Sequence, residues 1–197
     1  MVLKLLLGTA GFVLYLLYDI NSFVWKNRLL HLCFTVGTVL IMCSTVLMCI
    51  DAWKGGAFAG IPDIIILVFA FIALLALIYS LFFALPFSET YSHPENGRKV
   101  YSYGLYAVCR HPGIICFFVF YLLLGLAALP SGVLLCGIYF SVLNVFYALF
   151  QDRVTFVKTF SDYELYRTKV PFLIPSKRSI KRAVHTWGYP YDKEEEL

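Results

Sequence analysis

The chain has 197 residues, of which 60% are hydrophobic, 18% aromatic and only 14% charged. Soluble domains run at roughly 45–50% apolar and about 25% charged, and a mean hydropathy of +0.78 leaves more apolar surface than a core of this size can hide, which excludes a water-soluble globule and makes lipid the solvent. The net charge is +4, and the basic residues crowd beside the apolar runs, a pattern suited to anionic lipid headgroups and not to nucleic acid.

A bilayer core needs about 20 apolar residues per helix, and five runs meet that requirement: 2–20, 29–50, 64–85, 113–130 and 131–150. The expectation is an all-α integral membrane protein forming one domain of about five transmembrane helices. The first run has Lys4 as its sole positive flank and no small-residue cleavage site, so it reads as a retained helix and not as a signal peptide. Lys26 and Arg28 follow it. Short loops carrying positive charge face the cytoplasm, which puts the N-terminus outside. The 51–63 loop, with Asp51, Lys54 and Asp63, then also lies outside.

Residues 86–112 form the next cytoplasmic loop, with Arg98, Lys99 and Arg110. Long loops of this kind usually carry function, and this one places Tyr101, Tyr103 and Tyr106 just before Arg110, His111 and Pro112. Pro112 suits the first turn of a helix, where the missing N–H costs nothing. The last two runs are separated by Pro130, Ser131 and Gly132, a tight turn that makes residues 113–150 a helical hairpin. Within the second arm, Ser141, Asn144, Ala148 and Gln151 share one helical face, and an Asn in hydrocarbon points either to an interhelical hydrogen bond or to a pocket.

Residues 151–197 read as cytoplasmic, and nine of the 16 Lys and Arg residues fall there. Val154, Phe156, Val157 and Phe160 alternate with Lys158, Asp162 and Glu164 in the manner of an amphipathic interfacial helix. Beyond Tyr163, Tyr166 and Arg167, the stretch Val170 to Pro175 is apolar and bounded by prolines, suited to cover the Arg110–His111 site. Lys177, Arg178, Lys181 and Arg182 are the juxtamembrane basic cluster, and the acidic end at 192–196 is a solvated terminus. The six cysteines lie in apolar runs or beside the basic cluster without metal spacing, and read as reduced, buried small hydrophobes.

Residues 100–176 resemble the membrane methyltransferase superfamily that includes isoprenylcysteine carboxyl methyltransferases and phospholipid N-methyltransferases. Gly104, Tyr106, Arg110, His111 and Pro112 match one half of its motif, and Asp152, Phe160, Tyr163, Tyr166, Val170, Pro171 and Pro175 the other, across a two-helix hairpin. The chain departs from the family at Ile114 and Cys116, and where the family has an acidic pair it has Gln151, Asp152 and Arg153. The resemblance implies S-adenosylmethionine as cofactor and a lipid or lipidated acceptor. It assigns catalysis to Arg110, His111 and Asp152, with Gly104, Tyr106, Pro112, Asn144, Gln151, Tyr163 and Tyr166 joining them around the cofactor. Arg110 would grip the cofactor carboxylate, and Asp152 would act as base toward an amine acceptor. No strand followed by a glycine-rich turn is present for a soluble-type cofactor site. Two other readings stay open: a nicotinamide-dependent membrane reductase, whose family shares a histidine-proline motif and a tyrosine-rich tail, and a non-catalytic lipid-binding or interaction protein.

Overall fold

The structure is a computed structural model that describes residues 1–84 and 99–186. The expected loop at 86–98 and the acidic end at 192–196 lie outside the described residues. The described residues form helices joined by turns, with no strand. Among them, four helical stretches are long and apolar enough to cross a membrane.

Helix α1 (Val2–Phe23) and helix α2 (Leu32–Lys54) form an antiparallel pair, joined by a short turn and a single 3-10 turn at Leu29–His31. Glycine decides how close they come. A Cβ on Gly11 would sit 2.7 Å from the Gly37 carbonyl oxygen, and one on Gly37 equally close to the Gly11 oxygen, so the two backbones touch where small residues let apolar helices pack in lipid. Asn21 closes the turn, donating from Nδ2 to the Asn27 carbonyl and accepting the Asn27 N–H, both at 2.9 Å. At the other end Lys4 pairs with Asp51.

Helix α3 (Ile61–Phe82) starts where the Gly60 N–H donates to Asp63 Oδ2 at 3.0 Å, with Pro62 in its first turn. It packs mainly on helix α5 (Pro112–Ala127) and leaves Ile64, Val68, Phe69 and Ile72 exposed, as a lipid-facing helix must. Between them lies the short helix α4 (Leu105–Val108). At 16 residues, α5 is about 24 Å long, shorter than the 113–130 run expected from the sequence.

Helix α6 (Val133–Phe150) returns antiparallel to α5 and completes the expected hairpin. The core gathers Phe12, Ile41, Met48, Tyr121, Leu124 and Phe140 between α1, α2, α5 and α6. The Tyr121 and Phe140 rings meet edge to face at 5.9 Å, and the Tyr121 hydroxyl shares a 2.5 Å hydrogen bond with Thr45 Oγ1.

Past Phe150 the backbone widens into a π turn (Gln151–Thr155), tightens into helix α7 (Phe156–Thr159), and breaks at Phe160, whose extended backbone leads to helix α8 (Tyr163–Lys169). The expected single amphipathic helix over 154–164 is therefore divided, because Phe156 and Phe160 turn inward to pack with Tyr163. Helix α9 (Lys177–Thr186) follows and packs on α4. All six cysteines are free, Cys109 and Cys136 buried, Cys33, Cys49 and Cys116 half-buried and Cys43 exposed.

Candidate functional site

The ends of α1, α3, α5 and α6 meet where the chain enters α5, and the polar chemistry collects there. Arg110 lies in the short stretch between α4 and α5, next to the extended Cys109. The π turn adds one residue to the last turn of α6 and thereby aims Asp152 at Arg110. Nε of Arg110 donates to Asp152 Oδ1 at 2.7 Å and Nη2 donates to Oδ2 at 3.2 Å, a two-pronged ion pair in which both side chains are buried. Nη1 donates to the carbonyls of Val170 at 2.7 Å and Arg167 at 3.1 Å, and the Arg110 backbone N–H donates to the Pro171 carbonyl at 2.9 Å. One arginine thus holds α6, the end of α8 and the proline-bounded segment together.

Tyr163 adds a third donor to Asp152, from Oη to Oδ1 at 2.7 Å. Tyr166 donates to the Tyr106 carbonyl at 2.7 Å, and Tyr106 donates its own hydroxyl to the Ser80 carbonyl of α3 at 2.8 Å. These tyrosines tie the C-terminal cover to the bundle, and burial pushes the pKa of Tyr163 and Tyr166 above the ordinary phenol range, keeping both hydroxyls protonated. Gly104 has φ +53, the left-handed region that favours glycine, and its N–H donates to Thr186 Oγ1 at 3.3 Å.

His111 differs from its neighbours. It is 8% exposed, its ring stacked on Phe156 at 5.8 Å and met edge-on by Phe172 at 4.9 Å. Its Nε2 lies 3.4 Å from Asp152 Oδ1 but out of line for a hydrogen bond, so among the described residues it is the buried side-chain nitrogen with no partner. A buried imidazole nitrogen without a hydrogen bond is expensive, and the polar atom it faces is Asp152 Oδ1. Burial is the chief cause that lowers the protonation of His111 below its ordinary value, while Asp152 pulls the other way.

The expected residues divide into two groups. Arg110, His111, Asp152 and Tyr163 touch one another, and Tyr106, Tyr166, Gly104 and Pro112 form their frame. Ser141 instead bonds back to the Gly137 carbonyl at 2.8 Å, and Gln151 Nε2 donates to Tyr147 Oη at 2.9 Å. Gln151 thereby faces Asp19, a carboxylate 3% exposed that also receives Thr155 Oγ1 at 3.5 Å. The side chain of Asn144 has no hydrogen-bond partner among the described residues and lies outside the Arg110 cluster. Asp19 and Arg167 lie at the site without being among the residues expected there, and Phe172 belongs to the 170–175 stretch expected to cover it. Asp19 carried a signal, being a lone carboxylate near the end of an apolar run. Arg167, whose Nε lies 3.7 Å from Asp152 Oδ2, carried none, while Phe172, whose ring lies 5.7 Å from the Arg110 guanidinium carbon, sits in the apolar stretch between Val170 and Pro175. Compared with family models, curated proteins and solved structures, the chain matches none.

Removing the charge of Asp152 leaves the Arg110 cation buried and unbalanced. Asp152→Asn is expected to cost about 3–5 kcal/mol of stability, whereas Asp51→Asn, at an ion pair whose carboxylate is exposed, should cost far less. Thermal unfolding of both variants in detergent reads the difference, and equal losses would remove the clasp role from the pair.

A second expectation concerns pH. Because His111 resists protonation when folded, the unfolded chain takes up the proton first as pH falls. The His111 contribution is therefore complete above about pH 6.5 and is lost as pH falls below it. Melting temperatures between pH 8 and pH 5 should drop less for His111→Phe than for the parent chain, and parallel curves would show that His111 is not the group responsible.

Proposed function

We propose that this chain is an S-adenosylmethionine-dependent membrane methyltransferase acting on a lipid or lipidated acceptor. The observation that carries the reading is the orphaned Nε2 of His111 beside a cation-anion-cation row, Arg110, Asp152 and Arg167. An amino-acid-like ligand end carries both an ammonium and a carboxylate and needs partners of both signs within a few ångströms, together with a buried polar atom awaiting a partner. The residues present fit that requirement. When bound, the cofactor supplies a sulfonium methyl transferred by in-line displacement, a reaction in which positioning does much of the work.

In this reading Asp152 receives the ammonium and Arg167, 33% exposed at its side chain, receives the carboxylate. Arg110 is the clasp that fixes Asp152. His111 holds a polar atom of the ligand through Nε2, and Phe156 and Phe172, on either side of its ring, exclude water. Asp152 already accepts from Arg110 and Tyr163, which makes it a poor proton acceptor and favours acceptors that need no deprotonation, such as a carboxylate or a thiolate.

The charge pattern supports a fifth span in α5, the N-terminus outside and the Arg110 end in the cytoplasm, so that an acceptor presents its head while its hydrocarbon stays in the membrane. A cysteine placed at Gly56 should react with an impermeant maleimide added outside intact cells, and protection from outside would reverse the topology.

One observation favours a second reading, a non-catalytic module built on the same clasp: Arg110 already makes four side-chain hydrogen bonds inside the protein. Titration calorimetry of the purified chain separates the two. S-adenosylmethionine should bind, and His111→Ala and Arg167→Ala should each weaken binding by about tenfold or more, the worth of one hydrogen bond to a charged group. Arg110→Ala should lower the ligand-free melting temperature as well. Silence with S-adenosylmethionine would sink the methyltransferase reading, and heat with a nicotinamide cofactor in its place would move the site to the reductase class.

A further inference from the structure

Helix α9 has two unlike faces. Toward the protein it turns Ser179 and Ala183, both buried, with Thr186 taking the Gly104 N–H and Arg182 Nη1 donating to the Lys169 carbonyl at 3.0 Å. Ser176 and Ser179 cap its start reciprocally, each hydroxyl oxygen accepting the backbone N–H of the other. The helix is thus folded and anchored along one side. On the other side Ile180 and Val184, a turn apart, are 49% and 71% exposed, flanked by Lys177 and Lys181 at the same spacing, with Ile174 exposed just upstream. Between Lys177 and Thr186 there are four cations, Lys177, Arg178, Lys181 and Arg182, and no acidic residue.

The depth of α9 in the molecule follows from its neighbour. It packs on α4, and α4 is tied to the last turn of α3 by the Tyr106 hydroxyl on the Ser80 carbonyl. A helix anchored there lies at the level where α3 leaves hydrocarbon. An apolar strip edged with lysines, at that level and without acidic residues, matches the layer where acyl chains meet negative headgroups.

We propose that the outward face of α9 docks on the anionic surface of the bilayer that holds the protein, with Ile180 and Val184 among the headgroups and Lys177 and Lys181 paired to lipid phosphates. The docking strengthens the cover over His111, since Arg182 fixes the end of α8 at Lys169, one residue before the carbonyl that Arg110 grips. It stands independently of the methyl-transfer reading.

Hydrogen exchange of the full-length chain in lipid nanodiscs tests it directly. In discs containing phosphatidylglycerol, the amides of α9 should exchange about tenfold more slowly than in discs of phosphatidylcholine alone, since each basic residue near an anionic surface is worth about a fivefold change in population. High salt should erase the difference. Lys177→Gln with Lys181→Gln should reduce the protection in anionic discs and leave exchange in neutral discs as in the parent. Ile180→Gln should weaken protection with the charges intact. Equal exchange of the parent chain in the two lipids would overturn the proposal. So would protection produced in neutral discs by added heparin but not by anionic lipid, which would assign the face to a soluble polyanionic partner.

Discussion

The end of the bundle depends on one buried ion pair. Arg110 and Asp152 come from opposite arms of the α5–α6 hairpin region, 42 positions apart in sequence, and each is costly to bury alone. Paired, their charges cancel, and the spare donors of Arg110 reach the carbonyls of Arg167 and Val170. The guanidinium is planar and always charged, so a lysine in its place could not serve carboxylate and carbonyls at once. The pair has little net stabilisation to offer. Its consequence is geometric: it fixes where the C-terminal cover crosses the bundle, and so where His111 is enclosed.

That geometry requires the backbone to depart from an ideal helix. Between Gln151 and Thr155 the π turn lets neighbouring residues face different ways. Gln151 and Thr155 look toward Asp19 and Tyr147, and Asp152 looks toward Arg110. An uninterrupted α-helix presents one face to each neighbour, and π turns recur where a side chain must be re-aimed. The consequence is two separate buried carboxylates served from one turn, Asp19 of α1 among neutral hydroxyl and amide groups and Asp152 among cations. Such groups near hydrocarbon persist only with partners.

Much of this was legible in the sequence for a simple reason: lipid leaves the backbone one choice. Runs of about 20 apolar residues must be helices, so the spans at Val2–Phe23, Leu32–Lys54 and Ile61–Phe82 follow from composition, within a few residues of their ends. Gly132 and Pro130 located the hairpin, and Pro112 located the start of α5. Arg110, His111, Asp152 and Tyr163 were grouped in the sequence by the resemblance of residues 100–176 to a membrane methyltransferase motif, whose two halves lie on either side of the hairpin.

The side-chain partners were not legible. From sequence Arg110 reads as a free cation and Tyr163 and Tyr166 as hydroxyls facing a ligand, since nothing local reveals that Asp152 and the Tyr106 carbonyl lie within 3 Å of them. The basic run at 177–182 reads as a patch of charge, and only its packing on α4 makes it a helix with an inner and an outer face. Hydrophobicity and turn chemistry are local and additive, so the sequence by itself determined the long apolar helices and their order. Hydrogen bonds are directional and short-ranged, so the tertiary structure alone decided which polar groups satisfy one another, and that His111 Nε2 is left over.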